Sequence, residues 1–322
     1  MKVDQKFDLP DEHTNRIRFA IDNSLKIAEF QVTKLLHGGF SGAYTYLVIA
    51  DKKSYVVKLE NLQEKEVDLE RYGKVIKIAS EQGSSPEVYF NDAEKGVTVM
   101  DFITHQKISW HDARNVKKFA KQIKEVHYGK SFPEWLSIFD ILNHFYKKLS
   151  DHHKQSPLIK DCMIEITNMK PRLSDINDIR PSHCDLNPYN VLYDGKRIYL
   201  IDWLAASPQS LYFDLACCGL FFYHNNEQCM TDLLCEYFDR QPTAIEMFKF
   251  NLMRRFADIY YGIGFLTLSM KTDSTLSPLD LRDIEALPTY SSFMGMIGNG
   301  KVNLADAASQ QKLGYILMLP CN

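Results

Sequence analysis

A chain of 322 residues, 45% hydrophobic and 25% charged, has the make-up of a globular protein with enough core for two domains or lobes. A formal net charge of −3 gives no reason to expect a nucleic-acid or anionic-membrane partner. No apolar run approaches the roughly 18–20 residues that span a bilayer, and Met1 to Pro10 lacks the apolar core of a signal peptide. The seven cysteines are odd in number and without metal-type spacing, so they read as reduced core residues in a cytoplasmic setting.

In chain order, Ile17, Ala20, Ile21 and Leu25 keep helical spacing from Asp11, a candidate N-cap, to Lys26. Phe30 to Leu36 alternates as a strand, and a second strand runs from Ala43 to Ala50. Between them lies His37-Gly38-Gly39-Phe40-Ser41-Gly42, which is either an ordinary hairpin loop or a backbone folded over a ligand with its amides towards phosphate oxygens. A third strand, Ser54 to Leu59, sets Tyr55 and Val57 on one face and Val56 and Lys58 on the other. The Lys58 ammonium is either solvated or aimed at an anion. The place of the glycine turn just before a strand-borne lysine favours the ligand-binding reading of the turn.

A helix from Glu64 to Gln82 carries Glu66 and Glu70, and strands follow at Val88 to Asn91 and Val97 to Ile103. From Ser109 to Gly129, Val116, Phe119, Ala120, Ile123 and Val126 define one buried helix face. Lys117, Lys118, Lys121 and Lys124 lie opposite and read as a solvated face. Residues 135–180 form one or two helices around a polar linker from Asp151 to Pro157. His152 and His153 in that linker read as exposed loop, since no cysteine or carboxylate cluster accompanies them.

The most informative stretch is Ser182-His183-Cys184-Asp185-Leu186-Asn187-Pro188-Tyr189-Asn190-Val191-Leu192-Tyr193, followed by Ile198-Tyr199-Leu200-Ile201-Asp202-Trp203. Val191 to Tyr193 and Arg197 to Ile201 read as two short strands joined by an Asp194-Gly195 turn, whose positive backbone angles suit the twist of a hairpin. The hairpin brings Asp185, Asn190 and Asp202 to one end, a provision of oxygen ligands for a hard cation such as Mg²⁺. Asp185, Asn187 and Asn190 also suit plain turn caps. The His-x-Asp-x-x-x-x-Asn spacing with a later Asp nevertheless matches a phosphoryl-transfer loop, in which one carboxylate takes the proton of an attacking hydroxyl while the Asn and the second Asp hold metal.

His183 to Leu192 followed by Leu200-Ile201-Asp202-Trp203 resembles the signature of the aminoglycoside phosphotransferase and choline kinase group, small-molecule relatives of the protein kinases. The similarity runs from about Gln31 to Phe222. It implies an α+β, two-lobed, protein-kinase-like fold: a nucleotide-binding sheet lobe over 1–99, a hinge at 100–104, and a mostly helical catalytic and acceptor-binding lobe over 105–322. It implies ATP, with GTP open, and Mg²⁺ as cofactors, and a small-molecule hydroxyl acceptor. By the same resemblance Asp185 is the catalytic base, Asn190 and Asp202 bind Mg²⁺, and His183 orients the loop. Gly38, Gly39 and Ser41 cover the phosphates, Lys58 contacts them, and Glu70 holds Lys58, with Glu66 one turn earlier as the fallback. Met100 and Phe102 adjoin the adenine, and Met100 also suits plain core packing. Cys184 departs from the family pattern, where Gly is common, and Leu204 stands where many members carry an acidic residue.

Further on, Phe213-Asp214-Leu215-Ala216 opens an apolar helix. Asp214 suits an N-cap there, and the resemblance implies that it braces the catalytic loop. Residues 227–317 read as helices separated by Pro242, Pro278 and Pro288. The segment Met253 to Met270 corresponds to the acceptor region of relatives; its aromatics are core at helical spacing or a cation–π cage for a quaternary ammonium. Residues 204–322 hold eight basic and twelve acidic side chains, a slight bias towards a cationic acceptor. Aminoglycosides and amino-alcohols such as choline or ethanolamine lead the acceptor classes. The rival class, a catalytically silent binding module, sits poorly with intact Lys58, Asp185, Asn190 and Asp202. A protein kinase is disfavoured by the lack of Asp-Phe-Gly and Ala-Pro-Glu between Asp202 and Asp214.

Overall fold

The computed structural model describes residues 9–36, 42–63 and 68–320. Packing gathers the chain into two compact units, residues 1–133 with 185–208 and residues 134–184 with 209–322. This grouping differs from the division at 99–104 read from the sequence, because residues 105–133 and 185–208 group with the sheet.

In the first unit, β1 (Phe30–Leu36), β2 (Tyr44–Ala50), β3 (Lys53–Leu59), β4 (Val88–Asp92) and β5 (Val97–Asp101) form an antiparallel sheet in the order β1-β2-β3-β5-β4. The alternation that marked β3 is real: Tyr55, Val57 and Leu59 enter a core with Val48, Val97, Val99 and the helix α1 (Asp11–Ser24). Ile17, Ala20 and Ile21 are the buried stripe of α1, and each large aliphatic group so buried contributes roughly 1.5–3 kcal/mol. Asp11 is the first helical residue and not the cap; Pro10 holds that place without a side-chain hydrogen bond. Asp51 and Lys52 join β2 to β3 with φ of 47° and 65°, the two positive angles of a tight hairpin turn.

Helix α2 (Leu69–Glu81) starts where Asp68 accepts the Arg71 amide at 2.9 Å, and it buries Tyr72, Val75, Ile76 and Ala79. Helix α3 (Ala113–His127) buries the apolar face expected of it. The later hairpin pairs β7 (Val191–Tyr193) with β8 (Ile198–Leu200) as expected. Its turn is longer than the Asp-Gly pair suggested. Only Gly195 has a positive φ, and Asp194 closes the loop by accepting the amides of Lys196 and Arg197 at 2.7 Å each, so a side chain replaces the second positive angle.

The second unit is built on α9 (Ala244–Thr272), which packs with α4 (Ile138–Lys148), α6 (Pro157–Leu173), α7 (Leu211–Phe221) and α12 (Ala307–Met318). The short strand β6 (Ile179–Ser182) and the helices α8 (Glu227–Phe238), α10 (Leu281–Glu285) and α11 (Tyr290–Gly298) complete it. Helix α7 is apolar on every side but for Asp214, and it is buried from Leu211 to Leu220. Gly262 and Gly314 let α9 and α12 pass closely: a Cβ on Gly314 would stand 2.8 Å from the Gly262 carbonyl oxygen. His152 is exposed as expected, but neither it nor His153 is in a loop. They lie in the one-turn helix α5 (Asp151–Lys154), capped by Ser150, and His153 is fully buried with Nδ1 2.8 Å from Ser150 Oγ. Burial lowers the His153 pKa from the ordinary histidine value. Among the described residues no helix is long and apolar enough to cross a membrane.

Candidate active site

Asp185 lies in a loop that orients its carboxylate from two sides. Asn187 Nδ2 donates to one oxygen at 3.1 Å, and Asn190 Nδ2 donates to the other at 2.8 Å and to the Asp185 carbonyl at 2.9 Å. Both are neutral donors, so they fix the direction of a half-buried carboxylate without neutralising it. Asn187 also accepts the Tyr189 amide at 2.9 Å and so nucleates the turn that delivers Asn190.

The two residues before Asp185 are held by Asp214. Its Oδ2 accepts the His183 amide and its Oδ1 the Cys184 amide, each at 2.8 Å, with all three residues buried. Asp214 is a fourth-position residue of α7 and not its N-cap; Ser210 occupies the cap. Cys184 has φ 64°, a left-handed conformation that explains why Gly is common at this place in the resembling family.

Lys58 is buried at the end of β3, its Nζ 2.8 Å from Glu60 Oε1 and 3.1 Å from Asp202 Oδ1, with the Tyr72 ring centroid at 5.4 Å. Burial alone would lower the pKa of the ammonium. The carboxylates of Asp202 and Glu60 outweigh it, and the pKa stands above the ordinary lysine value. The structure does not bring Glu70 to this lysine. Glu70 lies on the exposed face of α2 beside Lys74 and Lys77, while the buried face of that helix presents Arg71 and Tyr72. Glu60, two residues after Lys58 and just past the end of β3, takes the place expected of Glu70. Glu66, like Gly38, Gly39 and Ser41, lies outside the described residues.

Asn190 and Asp202 stand at the open end of the β7–β8 hairpin, where the Ile201 amide donates to the Asn190 carbonyl at 2.9 Å. Asp202 itself has φ 62° and ψ 67°, a left-handed conformation of the kind that concentrates at functional sites. Trp203 anchors the turn: it is fully buried and its Nε1 donates to the Leu200 carbonyl at 3.0 Å. Buried Arg71 donates to the carbonyls of Leu204 and Ala206 and so ties α2 to the residues just past Asp202. One carboxylate and one amide oxygen suit Mg²⁺, which takes few protein ligands and completes its shell with phosphate and water. Among the described residues no group of three or more His, Cys, Asp and Glu could hold a metal.

Met100 is buried in β5, opposite Val56 and Val88, and Phe102 is half-buried just past the strand end. The Asp101 amide between them is taken by the Glu87 carbonyl at 2.9 Å. Sequence reasoning missed Glu60 and Arg71, and it read Asn187 as a turn cap, which it is, without its second role of aiming Asp185. The two-residue spacing from Lys58 carried a signal for Glu60 and the loop spacing one for Asn187, but none marked Arg71.

A sheet with a buried, carboxylate-paired lysine, together with a hairpin presenting Asp185, Asn190 and Asp202, defines a protein-kinase-like phosphotransferase. The chain belongs to the phosphotransferase enzyme family, whose sequence profile matches residues 32–243. Its fold is similar to that of choline kinase LicA from Streptococcus pneumoniae, with 20% identity and a TM-score of 0.64 over 81% of this chain and 92% of that one. It is similar as well to a choline/ethanolamine kinase family protein from Mesorhizobium loti, with 18% identity and a TM-score of 0.64 over 95% and 99% of the two chains. A spectinomycin phosphotransferase in complex with ADP and spectinomycin gives 15% identity and a TM-score of 0.56 over 95% and 98%. At these identities the likeness shows the fold. No curated protein sequence matches the chain.

Proposed function

We propose that the protein transfers the γ-phosphoryl group of ATP, with Mg²⁺, to a hydroxyl of a small acceptor of the amino-alcohol or aminoglycoside class. The observation that carries this reading is the ion pair of Lys58 with Asp202, which joins a phosphate-directed cation to a metal-directed carboxylate beside the Asp185 loop. In this mechanism Lys58 binds the α- and β-phosphates, and Asp185, aimed by Asn187 and Asn190, accepts the proton of the attacking hydroxyl. Asp214 keeps the loop in place through the His183 and Cys184 amides. Asn190 and Asp202 would hold Mg²⁺, which would supply charge neutralisation at the transferred phosphoryl group. Residues 1–99 serve the nucleotide, through Gly38, Gly39 and Ser41 among others, 100–104 with Met100 and Phe102 adjoin the adenine, and 105–322 serve catalysis and the acceptor.

Choline kinase LicA has been described with AMP, which supports an adenine nucleotide here, and the names of the structural neighbours make choline, ethanolamine and spectinomycin the first acceptors to try. The test is nucleotide consumption with Mg²⁺ and ATP or GTP across those compounds, further aminoglycosides, thiamine and sugars, beside Asp185→Asn. Acceptor-dependent turnover that the variant abolishes while retaining nucleotide binding supports the proposal. Nucleotide binding without turnover on any acceptor would favour a catalytically silent binding module.

A further inference from the structure

We infer that Glu60 is the resident counter-ion of Lys58 and that Arg16, on α1, is a positioning residue that fixes Glu60. The inference rests on the phosphoryl-transfer reading and extends it to a helix that precedes the family-matched residues 32–243.

Lys58 Nζ has two carboxylate partners in different settings. The Glu60 side chain is 6% exposed, whereas that of Asp202 is 24% exposed and is the one a divalent cation can reach. A cation that engages Asp202 competes with the ammonium for the same carboxylate. Lys58 would then face burial with one negative neighbour fewer, and an uncompensated buried charge is costly. Glu60 Oε1, at 2.8 Å, is the carboxylate that stays with it.

Glu60 lies just past the end of β3, where a strand terminus is free to fray, yet its backbone is clamped. Its amide donates to the Gly96 carbonyl at 2.7 Å. Arg16 Nη2 then donates to the carbonyls of Glu60 and Gly96, both at 2.8 Å, and closes the end of the β3–β5 ladder. Arg16 is 9% exposed. The Glu12 carboxylate, 3.5 Å away, belongs to an exposed side chain, so the two carbonyls are the geometric reason for a guanidinium at this depth. Gly96, at φ 56°, leaves room for it, since a Cβ there would stand 3.1 Å from Arg16 Nη2.

The experiment compares wild type with Glu60→Gln, Arg16→Met, Arg16→Lys, Glu70→Gln and Lys58→Ala. Three readouts are taken: affinity for a fluorescent ATP analogue with Mg²⁺, acylation rate of Lys58 in the nucleotide-free protein by mass spectrometry, and thermal unfolding. Glu60→Gln is expected to weaken nucleotide binding and to speed Lys58 acylation, each about tenfold, because a lysine without its counter-ion deprotonates more readily. Arg16→Met moves both readouts in the same direction by about threefold, and Arg16→Lys, which still donates to the carbonyls, restores them. If Arg16→Met melts too early to assay, Glu60→Gln and Arg16→Lys decide. Unchanged acylation and affinity in Glu60→Gln, or the same changes in Glu70→Gln instead, would overturn the inference. If Lys58→Ala binds nucleotide like wild type, the phosphate-binding reading of Lys58 fails, and the acylation rates alone still decide whether Glu60 is its counter-ion.

Discussion

Lys58 Nζ and Asp202 Oδ1 meet at 3.1 Å although 144 residues separate them in sequence. The contact joins the sheet to the β7–β8 hairpin, and the ammonium it employs is buried and also paired with Glu60. Removing one member of such a group strands the charge of the others, at a cost of about 3–5 kcal/mol, whereas an apolar replacement of matched members is close to neutral. Lys58→Met is therefore expected to lose nucleotide binding and about that much stability. Lys58→Met combined with Glu60→Met is expected to regain most of the stability and none of the binding. Urea unfolding and nucleotide titration of the single and double variants check this, and a double variant no more stable than Lys58→Met would sink it.

Asp214 offers one oxygen to each of two backbone amides. In Asp214→Asn one of those amides faces an NH₂ group, and a buried N–H left without an acceptor costs about 1–3 kcal/mol. The loop preceding Asp185 then loses its anchor. The expected outcome is a fall in kcat of at least tenfold with little change in nucleotide affinity, because the two Asp214 oxygens act on the backbone amides of the catalytic loop. A variant that loses affinity and keeps kcat would contradict the bracing role.

Much of this is legible in the residues. The alternation of Tyr55, Val57 and Leu59 gives the buried face of β3, and the spacing of Ile17, Ala20 and Ile21 gives the face of α1, because burial of one face is a local periodic signal. Asp185, Asn190 and Asp202 are legible because they sit within one short segment whose hairpin folds on itself. Counting along a helix assigns Glu70 to Lys58, yet which face a helix turns inward depends on where it starts. Here the start is Leu69, after the Asp68 cap, and Tyr72 with Arg71 faces inward. Arg16 and Arg71 act on backbone carbonyls far away in sequence, and contacts to carbonyls leave no residue-type pattern to read.

The crossing of α9 and α12 supplies a packing prediction. A side chain on Gly314 would meet the Gly262 carbonyl oxygen at 2.8 Å and Leu266 at 2.9 Å, neither of which yields without shifting a helix. Gly314→Val is expected to destabilise by about 2 kcal/mol or more through overpacking. Gly295, exposed in α11, is the contrasting site, since a Cβ there would meet nothing within 4 Å. Gly295→Ala is expected to stabilise by up to about 1 kcal/mol through helix propensity. Thermal melts that fail to separate the two substitutions in opposite directions would refute the close crossing.

Asp258, in α9, has a carboxyl pushed up to about 7 by burial, which Arg255 and Arg254 offset only in part and which Glu165 reinforces. The folded value lies above the unfolded one, about 3.9. Between roughly pH 4 and 7 the unfolded chain therefore gives up this proton while the folded protein keeps it, so this group makes stability fall as pH rises through that window and adds no further loss above it. At about 1.4 kcal/mol for each pH unit that separates the two values, the full effect is about 4 kcal/mol. Asp258→Asn cannot titrate. It is expected to match wild type near pH 4 and to exceed it in stability near pH 8, and urea unfolding of both proteins at about pH 4.5, 6 and 8 reads the difference. Curves that stay parallel across the three pH values would mean that Asp258 ionises in the folded protein as it does in the unfolded chain.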